Sequence, residues 1–209
     1  MMQLYGVRGW GSGIAEAMLC LADVPYDFID VEGFDQPGAA RDRLDAVNPL
    51  CQVPALVLDD GTVMTETAAI ALLLADSYPA LAPPRNTPDR ALFYRLLVWL
   101  VANVYPTFTY GDYPERWAPS SPSELVTATD QYRQSLHLWL EDQAREPFLL
   151  GDSVSAVDIY VAAMVNWRPR IAWFRENTPR LTRIAERTSA LPALASVMQA
   201  NGWRSDNNA

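Results

Sequence analysis

Apolar and polar positions alternate in two short stretches near the N-terminus, and later give way to a spacing of three and four. Residues 2–7, Met-Gln-Leu-Tyr-Gly-Val, read as a strand. A loop with glycines at 9, 11 and 13 surrounds Trp10 and Ser12, and from Ile14 to Ala22 the apolar residues recur with helical period. After Pro25, Tyr26-Asp-Phe-Ile-Asp-Val31 alternates again, predicting a second strand. A strand, helix and strand of this length pair in parallel through a right-handed crossover. Residues 38–46 are weakly helical. Val53-Pro54 then opens onto a short apolar strand; proline lacks an N–H and suits a strand's start, where an X-Pro bond can be cis. Asp60-Gly61 is predicted to supply two positive-φ positions of a tight hairpin. Thr62–Thr65 returns as the partner strand, and a helix runs from about 66 to 78.

Residues 79–88 carry prolines at 79, 83, 84 and 88 and interrupt both periods, which predicts an inter-domain linker. Everything beyond it has helical spacing: about 88–104, 123–144, from 155 onward, 178–189 and 191–201. Prolines at 106 and 114 are expected to break the helix there. The division is therefore residues 1–80, built on strands and helices, and residues 88–209, all-helical. The helix from 155 opens on Ser155-Ala-Val-Asp158, the spacing of a capping box, with Val154 and Ile159 placed to staple it.

Composition narrows the function. Half of the 209 residues are apolar and the net charge is −9, which argues against a nucleic-acid binder and against an anionic membrane surface. No uninterrupted apolar run reaches the ~18 residues of a membrane helix, and no basic, then apolar, secretory leader is visible, so a cytoplasmic protein is expected. Cys20 and Cys51 form no C-x-x-C. With His137 the only histidine, a multi-histidine metal site is impossible. His137 sits within a helical stretch with no G-x-S-x-G elbow elsewhere, and reads as a helix residue.

Three features converge on a peptide-like ligand. Val53 has a backbone N–H and C=O uncommitted to a ladder. Glu66 offers a carboxylate, and Thr67 a hydroxyl, beside the free N–H groups of a helix start. An extended peptide could pair with Val53 as an added strand while its charged head rests on Glu66 and Thr67. Asn48-Pro-Leu-Cys-Gln-Val-Pro54 followed by Glu66-Thr67 resembles the cytosolic glutathione transferase family, whose pattern is roughly Asn-Pro-x-Gly-x-Val-Pro-x-Leu, then Glu/Gln-Ser. The Ser155–Asp158 box after Phe148-Leu-Leu-Gly151 is similar to the one that family carries in its helical domain. The likeness spans nearly the whole chain and leaves the subclass open among bacterial types.

The resemblance implies an α/β thioredoxin-like N-terminal domain followed by an all-α C-terminal domain, and a homodimer. Glutathione would be co-substrate, with no metal. Its thiolate would add to a small hydrophobic or aromatic electrophile, as in detoxification. A non-catalytic glutathione-binding or regulatory module, and a glutathione-dependent isomerase or thiol reductase, remain alternatives on the same scaffold. A thiol near pKa 8.5 is only a few per cent ionised at pH 7, so an activating donor is sought after the first strand. Ser12 is the candidate, its hydroxyl expected to point out of the loop, although the position also suits plain N-capping. Tyr5 is the runner-up, with Trp10, a backbone N–H or no activating group at all as the remaining choices. Glutathione would be held by Gln52, Val53, Pro54, Glu66 and Thr67. An acceptor pocket would draw on Trp10, Tyr105, Phe108, Tyr113 and Trp117, with Trp167 beside them and Arg116 and Arg168 for an anionic acceptor; packing between helices is the plain account of the same rings. Cys51 replaces the family's small residue and reads as inert, a mixed disulfide being the alternative.

Overall fold

A strand that ends in a glycine-rich loop starts the chain. A computed structural model describes residues 1–203. The elements run β1 (Met2–Gly6), α1 (Ser12–Leu21), β2 (Tyr26–Asp30), α2 (Ala39–Asp45), β3 (Ala55–Val57), β4 (Val63–Thr65) and α3 (Thr67–Ser77). There follow α4 (Pro88–Trp99), α5 (Tyr105–Asp112), α6 (Pro114–Trp117), α7 (Pro122–Gln143), α8 (Ala156–Met164), α9 (Ile171–Asn177), α10 (Pro179–Ser189) and α11 (Ala195–Ala200). The chain divides into two compact units, one of Met1–Ala82 with residues 189–203, the other of Pro83–Thr188.

In the first unit the sheet order is β2-β1-β3-β4, with β1 and β2 parallel and the remaining pairs antiparallel. The crossover expected from the strand-helix-strand spacing is thus present. Leu4 and Leu56 are fully buried on the sheet, as are Ile14 and Met18 of α1 and Ile70 of α3. A second cluster gathers Val7, Val31, Leu44, Cys51 and Ala55, with Tyr5, Phe34, Val47 and Val53 packed against it. The hairpin differs from the sequence expectation. Of Asp60 and Gly61 only Gly61 has positive φ, +86°. Leu58 and Thr62 are bonded across a three-residue loop, closed by Gly61 N–H to Leu58 C=O at 2.9 Å. A turn ending in one left-handed glycine is the usual solution for that loop length.

The last residues also depart from the expected division at 80 and 88. Residues 189–203 pack with the first unit: Asn201 hydrogen-bonds to Gly9 and Glu16, and Trp203 is buried. Helix α11 ends in a Schellman turn, with Trp203 N–H on Met198 C=O, Gly202 N–H on Gln199 C=O and Gly202 at φ +67°. Residues 204–209 of the expected helical domain lie outside the described residues.

In the second unit α8 is buried along its whole length. Its start carries the expected box in extended form: the Asp158 carboxylate accepts from Ser155 N–H (2.8 Å), Ser155 Oγ (2.9 Å) and Leu149 N–H (2.6 Å). Burial pushes the Asp158 carboxyl up to about 6 against the pull of those donors. Pro106 does not break the helix as expected. Leu100–Val104 widens into a π-turn, with Tyr105 N–H reaching Leu100 C=O, so the helix passes the proline and continues to Asp112. The resulting Pro88–Asp112 helix, with a stretch of mean hydropathy 1.3, is long and apolar enough to cross a membrane by length and composition, although polar residues interrupt it and no unbroken apolar run in it reaches 18 residues. Phe93, Leu96, Leu97, Leu100 and Val104 are its buried stripe, the pattern of a helix packed in a protein core.

Candidate functional site

Register places the site. Tyr5 pairs with Ala55 and Ala55 with Thr65, both in antiparallel ladders. Continuing each by two residues sets Val53 level with Val7 on one side and with Thr67 on the other. The loop after β1, the Val53-Pro54 pair and the mouth of α3 therefore meet at one end of the sheet. Both ladders stop at Ala55, leaving the Val53 backbone outside them, and the Val53–Pro54 bond is cis.

The stretch before Val53 is held by Asn48, which is buried. Its Nδ2 donates to Gln52 C=O (2.8 Å), its Oδ1 accepts from Leu50 N–H (3.2 Å), and its own C=O accepts from Cys51 N–H (2.8 Å). That tight loop drives Cys51 to φ +48°, the left-handed region that glycine favours, which explains the family's preference for Gly here. The Cys51 thiol turns into the Val7–Ala55 cluster, 3.7 Å from Asp45 Oδ1, and is 8% exposed. Gln52 is exposed.

Glu66 caps α3 with φ 62° and ψ 113°, a backbone conformation that an L-residue adopts only when its surroundings hold it there. Its carboxylate side is exposed, while Thr67, the first residue of α3, is buried. The arrangement puts a carboxylate, a hydroxyl and open helix N–H groups side by side, which suits an amino acid's ammonium and carboxylate.

The loop after β1 corrects the expectation for Ser12. Its side chain is fully buried, and the hydroxyl donates to Val7 C=O (2.7 Å) and accepts from Val7 N–H (2.9 Å). It points into the loop, not out of it, and it is not the N-cap, which is Gly11. Gly6 is required beneath it: a Cβ there would lie 2.6 Å from Ser12 Cβ. Gly13 and Ile14 N–H are taken by the Trp10 and Gly11 carbonyls. The N–H groups of Gly11 and Ser12 are left as donors of this turn not taken by another carbonyl among the described residues. Tyr5 packs against the Val7–Ala55 cluster, and Trp10 stands 41% exposed, edge-on to Phe34.

Trp10 belongs to the first unit and the other expected acceptor residues to the second. There Tyr105 and Phe108 meet edge-on, and both meet Trp167, at 5.9 and 5.1 Å between centroids. The Tyr105 hydroxyl is buried without a partner among the described residues; burial first, then Tyr160, raises its pKa above the ordinary tyrosine value. Trp117 lies apart, 56% exposed against Tyr110, and Tyr113 carries the Arg116 guanidinium on its face. Arg168 is bonded to Asp130 at 2.9 Å. Arg133, which the sequence did not single out, is buried over Phe108 and bonds Thr107 and Asp130. His137 is buried against Phe174, and burial lowers its pKa to about 3, leaving a neutral imidazole.

Comparison with known proteins gives this geometry its context. A glutathione S-transferase N-terminal domain model matches residues 14–77. YncG of Escherichia coli K12, named an uncharacterized GST-like protein, is 52% identical over 202 residues, spanning 96% of this chain and 98% of that protein. The chain belongs to the glutathione S-transferase family. Within this family GstA of Escherichia coli O157:H7, named a glutathione S-transferase, is 31% identical over 162 residues, spanning 76% of this chain and 78% of that protein. Among solved structures, a glutathione transferase homologue from Sulfitobacter with bound glutathione superposes with TM-score 0.82 at 25% identity, covering 95% of this chain and 97% of that one. The transferase family and the thioredoxin-like sheet followed by helices are as the motifs implied.

Proposed function

We propose that the chain is a glutathione transferase whose first unit binds glutathione along Val53 and turns its thiol toward the start of α1. Glu66 receives the γ-glutamyl ammonium, and Thr67 with the α3 amides its carboxylate. The Val53 N–H and C=O pair with the cysteinyl residue beside Pro54, and Gln52 reaches the glycyl carboxylate. The thiolate rests on the N–H groups of Gly11 and Ser12 at the N-terminal end of α1, while Ser12's hydroxyl holds the loop. It adds to a small hydrophobic or aromatic electrophile. The observation that carries the reading is Glu66, held at positive φ beside Thr67, which the register sets level with the Val53 backbone outside both ladders.

Calorimetric titration with glutathione tests it. Charge-assisted hydrogen bonds are worth about 1.5–3 kcal/mol, so Glu66→Ala is expected to weaken binding by about 10- to 150-fold. No heat from the wild type, or full binding by Glu66→Ala, refutes the assignment. The engaged Ser12 hydroxyl supports a second reading, a binding module without turnover. Conjugation of an activated aryl halide separates the two: binding without conjugation selects the module.

A further inference from the structure

The C-terminal segment reaches back to the loop after β1 through one side chain. Asn201, 5% exposed, accepts from Gly9 N–H at 2.8 Å and donates to Glu16 Oε2 and Val197 C=O, each at 2.9 Å. Its amide is fully used: one oxygen and both N–H groups have partners. Gly9 is at φ +80°, and the loop around it has two further glycines, so its native conformation is one of many the free chain visits. Two brackets hold it: Ser12 Oγ across Val7, and Asn201 on Gly9. Gly13 records how close the segment comes. A Cβ there would collide with Asn201 Oδ1 and lie 2.6 Å from the Trp203 ring. Glu16, 3% exposed, is the anchor on α1; its other oxygen receives Tyr26 OH at 3.2 Å and lies 3.7 Å from Arg8.

We propose that Asn201 is a positioning residue for the glutathione sulfur: by tying Gly9 to Glu16 it aligns the first N–H groups of α1 with the thiolate. This rests on the glutathione reading given above. Asn201 touches neither sulfur nor electrophile in this account. It acts through the loop, and what it changes is the ionisation of the bound thiol more than the affinity for the tripeptide, whose other contacts lie on Val53, Glu66 and Thr67.

The test measures glutathione binding by calorimetry and the pKa of bound thiol by ultraviolet titration, in the wild type, Asn201→Ala and Trp203→Leu. Asn201→Ala is expected to bind within about threefold of the wild type, with the thiol pKa raised by about one unit, the scale of a thiolate's interaction with a helix N-terminus. Trp203→Leu removes packing but keeps the amide, so it is expected to lower thermal stability and leave the thiol pKa in place. An unchanged thiol pKa in Asn201→Ala, or an equal rise in both variants, overturns the role of Asn201. A wild type that binds no glutathione overturns the underlying reading, and the role falls with it. If Asn201→Ala does not fold, amide exchange of Gly9 in the wild type decides. Protection that deepens about tenfold or more with glutathione supports the role, and exchange at the rate of an open loop in both states overturns it.

Discussion

Ser12→Ala separates a loop-holding hydroxyl from a sulfur-facing one. The substitution takes away one oxygen with two jobs, accepting from Val7 N–H at 2.9 Å and donating to Val7 C=O at 2.7 Å. Val7 C=O keeps a longer bond from Trp10 N–H at 3.3 Å, but its N–H is left buried with nothing to bond. An unsatisfied buried donor costs about 1–3 kcal/mol and a lost ordinary bond about 1, so the loss is about 2–4 kcal/mol in total. At roughly 2–4 °C per kcal/mol for a chain of this size, the midpoint should fall by about 4–16 °C in scanning calorimetry. Glutathione binding measured well below that midpoint should survive within a few-fold. A variant that melts within about 1 °C of the wild type yet has lost turnover would refute the structural account and return Ser12 to the thiol.

Two buried titrating groups in the second unit should pull stability in opposite directions with pH. His137 is neutral in the fold, with pKa lowered to about 3, so the unfolded chain binds the extra proton and stability falls as pH drops below the unfolded value; between pH 7 and 5 the loss is about 2 kcal/mol. Asp158 is raised to about 6, so its contribution is full below its unfolded value and is lost as pH rises through 6, a gain of about 1 kcal/mol over the same acidification. Urea titrations at pH 7 and 5 should show His137→Phe steepening toward greater stability in acid and Asp158→Asn toward less, and parallel profiles would contradict both assignments. Glu66→Gly should leave the fold as stable or raise it by up to about 1 kcal/mol, because glycine accepts φ 62° freely, while glutathione affinity drops; a loss of stability instead would mean that the carboxylate serves the fold.

What was legible in the sequence was local. Alternation in Tyr26–Val31, Val53-Pro54 ahead of a short strand and the Ser155-x-x-Asp158 spacing each depend on neighbours a few residues apart, and each appears in the structure. The misjudged features are set by distant partners or by backbone relief. Ser12 turns inward because Val7's peptide groups need it. Pro106 is tolerated because the preceding turn widens, which proline's presence alone does not reveal. Arg133 looks like a solvated helix residue until Thr107, Asp130 and Phe108 close on it. Asn201 meets Gly9 across 192 positions, a distance over which no periodicity carries information.

Because its first unit is closed by residues 189–203, the segment before Ala82 leaves the ribosome long before the residues that complete its unit exist. Gly9, Gly13 and Glu16 wait, unclamped, until all of Pro83–Thr188 has been synthesised and Asn201 and Trp203 follow. Domains generally fold as they emerge, first to last. Here the order is partly inverted, and the Gly9 loop reaches its final conformation only after Pro83–Thr188 and the residues up to Trp203 have been made.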